Sequence, residues 1–198
     1  ILRDPVKENY QFKYAQKTWE KNKFLYYDKH RIVKRNISVL TETLKKSLVM
    51  RSEVTDVDSH WGRVVPAKMW KVGRTDDTRL FTREVKGDCS EFVVDVLIDA
   101  SGSQRPRQGE VAIQGYMISE SLSNVGIAHR VMSFCTFWDY TIMHRFRDYE
   151  DDRSLNDRIF DYITSSNNRD GLAIKAAGYG LLQREEEKKI LIVLSDGR

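Results

Sequence analysis

One stretch, Phe92-Val93-Val94-Asp95-Val96-Leu97-Ile98-Asp99-Ala100-Ser101-Gly102-Ser103, constrains the fold more than any other. An apolar, β-branched run closed by a turn signal predicts a buried strand of an α/β sheet. Open α/β sheets bind ligands at the carboxyl ends of their strands. Asp99, Ser101 and Ser103 therefore fall where such a fold carries its site. All three offer oxygen, the donor that a hard cation such as Mg²⁺ takes. Asp, Ser and Gly are also ordinary turn residues, so the motif alone serves either reading.

Two further pieces add weight. The apolar run Ile190-Leu191-Ile192-Val193-Leu194 ends in Ser195-Asp196-Gly197, and the polar loop Asn167-Asn168-Arg169-Asp170-Gly171 leads into a helical pattern between the two runs. In this order and at this spacing, the three pieces resemble a von Willebrand factor A (vWA) domain over residues 91–198. The resemblance implies a Rossmann-like α/β fold. Its central sheet would be mostly parallel, with one antiparallel edge strand and flanking helices. It also implies a metal-ion-dependent adhesion site for Mg²⁺ or Mn²⁺. Asp99, Ser101 and Ser103 match the family's first motif and Asp196 its last. The family's loop Thr is replaced by Asn168, followed by Gly171, Ala173 and Ile174, and Asp170 is the rival ligand. Asn would offer a neutral carbonyl oxygen. Asp170 would add a third carboxylate and reduce the ion's appetite for an outside ligand.

Residues 1–90 read as a mainly helical extension with short strands. Residues 6–30 are aromatic-rich and predict a helix or two. Val33, Ile37, Leu40, Leu44 and Leu48 recur at spacings of three and four, a stripe that predicts a packing seam. Asp56, Asp58, Ser59 and Gly62 read as a turn, Arg63-Val64-Val65 as a short strand, and Pro66 as the first turn of a helix reaching Gly73. A loop at Thr75-Asp76-Asp77, a strand over Leu80–Val85 and a turn at Gly87-Asp88 follow. This order resembles the vWA subunits of the CobT-type cobaltochelatases and the NorD-type nitric oxide reductase activation proteins. That resemblance implies a MoxR-type AAA+ ATPase as partner, in metal chelation or metalloenzyme maturation.

Downstream of the Asp-x-Ser-x-Ser turn, Val111, Ile113, Met117, Ile118 and Leu122 predict a helix closed at Gly126. Residues 127–134 and 141–146 predict an antiparallel hairpin. Asp148, Glu150, Asp151 and Asp152 precede an expected helix over 155–163, whose dipole they would complement. Residues 171–184 predict a further helix. His129 and His144 lack companion ligands and read as structural. The family's sheet runs 3-2-1-4-5-6, and this chain stops just after strand four. That edge is therefore expected to be covered by further residues or by another chain.

Composition bounds the function. The chain of 198 residues is 40% hydrophobic and 31% charged, with no run of about 18 apolar residues that would predict a membrane span. Cys89 and Cys135 form no Cys-x-x-Cys pattern, which fits a reducing cytoplasm. Residues 1–50 hold twelve Lys and Arg against five Asp and Glu, so nucleic-acid binding is one alternative reading. The lysines are spread rather than clustered and no nucleic-acid motif accompanies them, so a solvated helix face is the simpler account. Aspartyl phosphotransfer would need Asp where Ser101 stands. A Walker A loop and a Gly-x-Ser-x-Gly elbow are both absent. A nucleotide-binding α/β domain is the other alternative. The expectation is a metal-dependent protein-interaction subunit without catalysis of its own, in which a partner's Asp or Glu completes the ion's coordination.

Overall fold

The computed structural model describes residues 10–51, 55–74, 79–85, 92–165, 167 and 169–196. The chain divides into two compact units, Ile1–Leu44 with Ser90–Arg198, and Lys45–Cys89. The extension is thus shared between them, its helical first half belonging with the larger sheet.

In the larger unit, β4 (Phe92–Asp99) is buried at every position because it is covered on both faces and both edges. The four-stranded sheet runs β6-β5-β4-β7. β5 (Ala128–Phe137) and β7 (Lys188–Leu194) pair parallel with β4 on either side, and β6 (Tyr140–Arg147) pairs antiparallel with β5. The unit is therefore mixed α/β, with a mostly parallel sheet and one antiparallel edge strand. The expected hairpin is present, its two-residue link Trp138-Asp139 turning with Trp138 at φ 54°.

Successive residues of β4 face opposite ways. Leu97 joins Met132, Phe134, Ala173 and Ala177 in a core under α3 (Asp170–Leu182). Ile98 points the other way, toward α2 (Gln108–Val125), so closely that a side chain at Gly115 would meet its Cδ1 at 2.7 Å. Gly126 closes α2 in the left-handed conformation at φ 82°, its N–H returning to the carbonyls of Leu122 and Ser123. No side chain larger than hydrogen takes that conformation without cost.

The aromatic-rich start of the chain forms no break. α1 (Tyr10–Arg51) is one helix of 42 residues. Its buried face runs through Thr18, Asn22, Val33 and Thr41, with Ile37, Leu40 and Leu44 half-buried. The side chain of Leu48 lies outside the described residues. Asn22 anchors the helix by donating from Nδ2 to the carbonyls of Phe160 at 2.9 Å and Tyr162 at 3.2 Å. Those carbonyls belong to a segment expected to be α-helical over 155–163. It is instead a 3-10 helix, Arg153–Asp161. A 3-10 turn leaves carbonyls at its end free to accept side-chain donors, and Asn22 uses them. The acids expected to complement that helix end do not cap it: Asp152 stands at the N-cap without a side-chain hydrogen bond, while Asp148 pairs with Arg145 at 2.5 Å and Asp151 Oδ2 accepts the N–H of Asp148 at 2.8 Å.

The smaller unit holds a three-stranded antiparallel sheet in the order β1-β3-β2. β2 (Arg63–Val64) and β3 (Phe81–Val85) fall on the expected strands, and Pro66 opens a 3-10 helix, Pro66–Lys71, in place of the longer helix expected. The supposed turn at Asp56 to Ser59 is a strand, β1 (Thr55–Ser59), paired with β3. Ladder pairing overrode the turn preference of its two aspartates, because strand propensity is set by context. Thr75-Asp76-Asp77, Gly87-Asp88 and Cys89 lie outside the described residues. No helix among the described residues is long and apolar enough to cross a membrane.

Candidate functional site

The site forms at the carboxyl ends of β4 and β7. As β4 ends, the Asp99 carboxylate folds back over its own turn. Oδ1 accepts the backbone N–H of Ser101 at 2.8 Å, and Oδ2 accepts its hydroxyl at 3.1 Å. The Ser101 and Ser103 hydroxyls are 2.9 Å apart. Ser101 has given its one proton to Asp99, so Ser103 donates to Ser101. Both hydroxyl oxygens are thus held together beside a carboxylate. Ser101 is buried, while Ser103 stands at the surface. The backbone then winds through a 3-10 helix, Gly102–Arg107, that delivers the chain to α2.

β7 lies parallel to β4 in a register that sets Leu194 opposite Ile98. The next residues, Ser195 and Asp196, therefore emerge beside Asp99, and Ser195 Oγ donates to Asp99 Oδ2 at 3.4 Å. Asp170 comes from a third direction, at the first residue of α3. The loop before it is clipped to the sheet at two points: Ser165 N–H donates to Ala100 O at 2.8 Å, and Thr136 N–H to Asn167 O at 2.7 Å. Arg169 pairs with Asp139 of the hairpin link at 3.2 Å.

Asp170 is the informative residue. Its Oδ1 is buried and has no hydrogen-bond partner. Its carboxyl is held above the ordinary carboxylate range, first by burial and then by the charges of Asp99 and Asp196. The charges of Asp99 and Asp196 thus act against ionisation of Asp170 at the start of α3. Tyr162, fully buried, donates its hydroxyl to the Asp99 carbonyl at 2.5 Å, and its own ionisation is pushed up by burial and by Asp99 and Asp196. Sequence reasoning missed Tyr162, whose role depends on a contact 63 residues away along the chain. The Cys135 thiol is raised by burial and by Asp99, against a hydrogen bond from Ser165.

Hydrogen bonds gather Asp99, Ser101, Ser103 and Ser195 at the ends of β4 and β7, with Asp196 next in the chain, and Asp170 at the start of α3 feels the charges of Asp99 and Asp196. Asn168 lies outside the described residues. Oxygen donors of mixed charge, two of them neutral hydroxyls, make a set suited to a hard divalent cation. Among the described residues no group of three or more His, Cys, Asp or Glu is placed to hold a metal by itself. A cation here would therefore depend on the serine hydroxyls as much as on the acids. His129 and His144 do not reach the site. His129 Nδ1 donates to Ile127 O at 2.9 Å and its Nε2 faces Arg147 Nη1 at 3.0 Å, while His144 stacks edge-on with Phe146.

The surroundings are open and aromatic. Phe137, Trp138 and Tyr140 stand exposed at the hairpin tip, at the same end of the sheet. On the β7 side a cleft of about 210 Å³ is lined by Gln104, Arg107, Ser195 and Asp196 among others. No protein-family model matches the chain, and no curated protein is significantly similar to it.

Proposed function

We propose that the larger unit is a vWA-like domain whose Asp99, Ser101, Ser103, Asp170 and Asp196 hold Mg²⁺ or Mn²⁺, and that the protein docks a partner there. One observation carries the reading. A buried, hydrogen-bond-free carboxylate oxygen on Asp170 is set against two more carboxylates and a pair of hydroxyls. Unpaired buried charge is costly, and a divalent cation is the group that relieves it. Mg²⁺ there would supply a position open to an outside carboxylate. The protein's own part is to hold the donors. Asp99 orients both hydroxyls, β7 brings Asp196, and the clipped loop brings Asp170.

Asp170 is the loop ligand favoured here, and Asn168 the alternative. If Asp170 joins Asp99 and Asp196 at the ion, the third negative charge leaves the ion with a weaker attraction for a partner's Asp or Glu than Asn168 would. Exposed aromatic residues at the hairpin tip suit a protein partner, since such residues dominate binding energy at protein interfaces. The resemblance to CobT-type and NorD-type subunits makes a MoxR-type AAA+ ATPase the partner class, in metal insertion or metalloenzyme maturation.

Calorimetric titration of Mg²⁺ and Mn²⁺ into the parent, Asp99→Ala, Asp170→Ala and Asn168→Ala tests this. One site is expected in the parent, none in Asp99→Ala and a much weaker one in Asp170→Ala, with Asn168→Ala close to the parent. Equal affinity across all four refutes the site. Loss in Asn168→Ala alone assigns the loop ligand to Asn168.

A further inference from the structure

A second cleft adjoins the candidate site and is built for negative charge. It has a volume of about 680 Å³ and lies between the first half of α1 and the 3-10 helix that follows Ser101. Lys17 and Lys21, one turn apart on α1, line it together with Arg105 and Arg107. All four are exposed, and none of the four has an acidic partner among the described residues. This sets them apart from Lys23 and Lys29 on the same helix, which pair with Asp157 and Glu110. Against these four cations the lining carries one acid, Glu110, which already pairs with Lys29, so the cleft keeps a positive balance that raises the local concentration of an anionic ligand. Arg107 and Glu110 line both this cleft and the smaller one that contains Asp196, so the two clefts adjoin.

We propose that this cleft receives an acidic peptide segment of the protein partner, one of whose carboxylates reaches the ion while its neighbours lie against Lys17, Lys21, Arg105 and Arg107. The proposal rests on the cation-dependent docking read above and supplies what that reading lacks. A site with three carboxylates draws a partner's carboxylate weakly, and the basic cleft provides the attraction. Separate carboxylates suit the surface better than a continuous phosphate chain does. A peptide can set its charges against the four cations and the ion, and place uncharged residues beside Glu110, which also lines the cleft. A nucleic-acid backbone, charged at every unit, would carry phosphates past Glu110 and on past Asp99, Asp170 and Asp196. Tyr14, half-exposed at the cleft, offers a ring for the peptide's apolar stems.

Fluorescence anisotropy of a labelled oligo-glutamate peptide on the full chain tests the proposal, with and without Mg²⁺. The parent should bind in chelator, in a salt-sensitive way, and more tightly with Mg²⁺. Lys17→Glu/Lys21→Glu, and separately Arg105→Glu, should each weaken the chelator-state binding about tenfold or more. These positions are exposed, so circular dichroism should show the parent fold. Unchanged binding in both variants overturns the proposal. Charge-reversal effects with no response to Mg²⁺ leave the cleft standing and refute the metal-dependent docking. Tighter binding of labelled oligothymidylate than of the peptide, or full displacement by inorganic triphosphate, overturns the peptide assignment in favour of a nucleic acid or a small phosphate ligand.

Discussion

Asp95 and Arg130 are register partners on the adjacent parallel strands β4 and β5, and their side chains meet in a two-pronged ion pair at 2.6 and 3.2 Å. The Asp95 side chain is 0% exposed and also accepts the Tyr149 hydroxyl at 2.6 Å. Arg130 and Arg184 lie over the Tyr149 ring, with centroid distances of 5.0 and 4.5 Å. Asp95 precedes the candidate site by four residues on the same strand, yet every contact it makes is structural.

Arg130→Ala should destabilise the fold by about 3 kcal/mol, because it leaves a buried carboxylate without its cation. Asp95→Leu with Arg130→Met should cost much less than the two single changes together, since no charge then stays buried alone. Urea unfolding of the parent, Arg130→Ala, Asp95→Leu, Arg130→Met and the double variant measures this. Mg²⁺ affinity should be the same in all variants that remain folded.

Asp170→Asn makes a two-sided prediction. Asp170 is held above its ordinary range, so in the metal-free protein its ionised form works against folding at neutral pH. Removing the charge should raise the melting temperature in chelator. With Mg²⁺ at a hundred times its dissociation constant, the parent should gain about 2.7 kcal/mol, and the variant should lose most of that gain. A variant that melts lower in chelator would show that Asp170 has a stabilising partner instead.

His129 should make the fold acid-sensitive. Burial, helped by the Arg147 charge, lowers its pKa to about 4 from the ordinary 6.5, against the raising effects of the Ile127 carbonyl and Glu120. Between those values the unfolded chain binds a proton that the folded chain refuses. Stability therefore falls as pH drops from about 7 toward 4, and this contribution levels off below 4. About 2 kcal/mol should be lost between pH 7 and pH 5 from this group. His129→Gln, whatever its stability at pH 7, should lose less over that interval when both are followed by chemical denaturation.

Along α1, depth of burial should rank the cost of a charge. Val33 is 3% exposed, whereas Leu40 is half-buried beside an apolar recess formed with Met117, Ile118 and Leu194. Val33→Asp should cost about 3 kcal/mol or more, and Leu40→Asp about 1–2 kcal/mol. Thermal melts of the two variants decide the order.

The local sequence determined a good deal. The apolar run Phe92–Ile98, interrupted only by Asp95, demanded a strand covered on both faces, and Gly126 demanded the end of α2. Asp99, Ser101 and Ser103 are close in the chain, so their hydrogen bonds are local and readable from the motif. The short hairpin link left β6 no choice but to pair antiparallel with β5. Tertiary structure decided the remainder, because it depended on partners distant in the chain. Strand pairing made Thr55–Ser59 a strand against its turn-forming aspartates. Asn22, reaching carbonyls 138 and 140 residues away, ties α1 to the sheet unit. The parallel register of β7 sets Ser195 against Asp99, and the clipped loop turns Asp170 toward the same carboxylates. A motif names the donors that the backbone holds within a turn of each other. Which further charges close around them depends on how sheet, loop and helix pack.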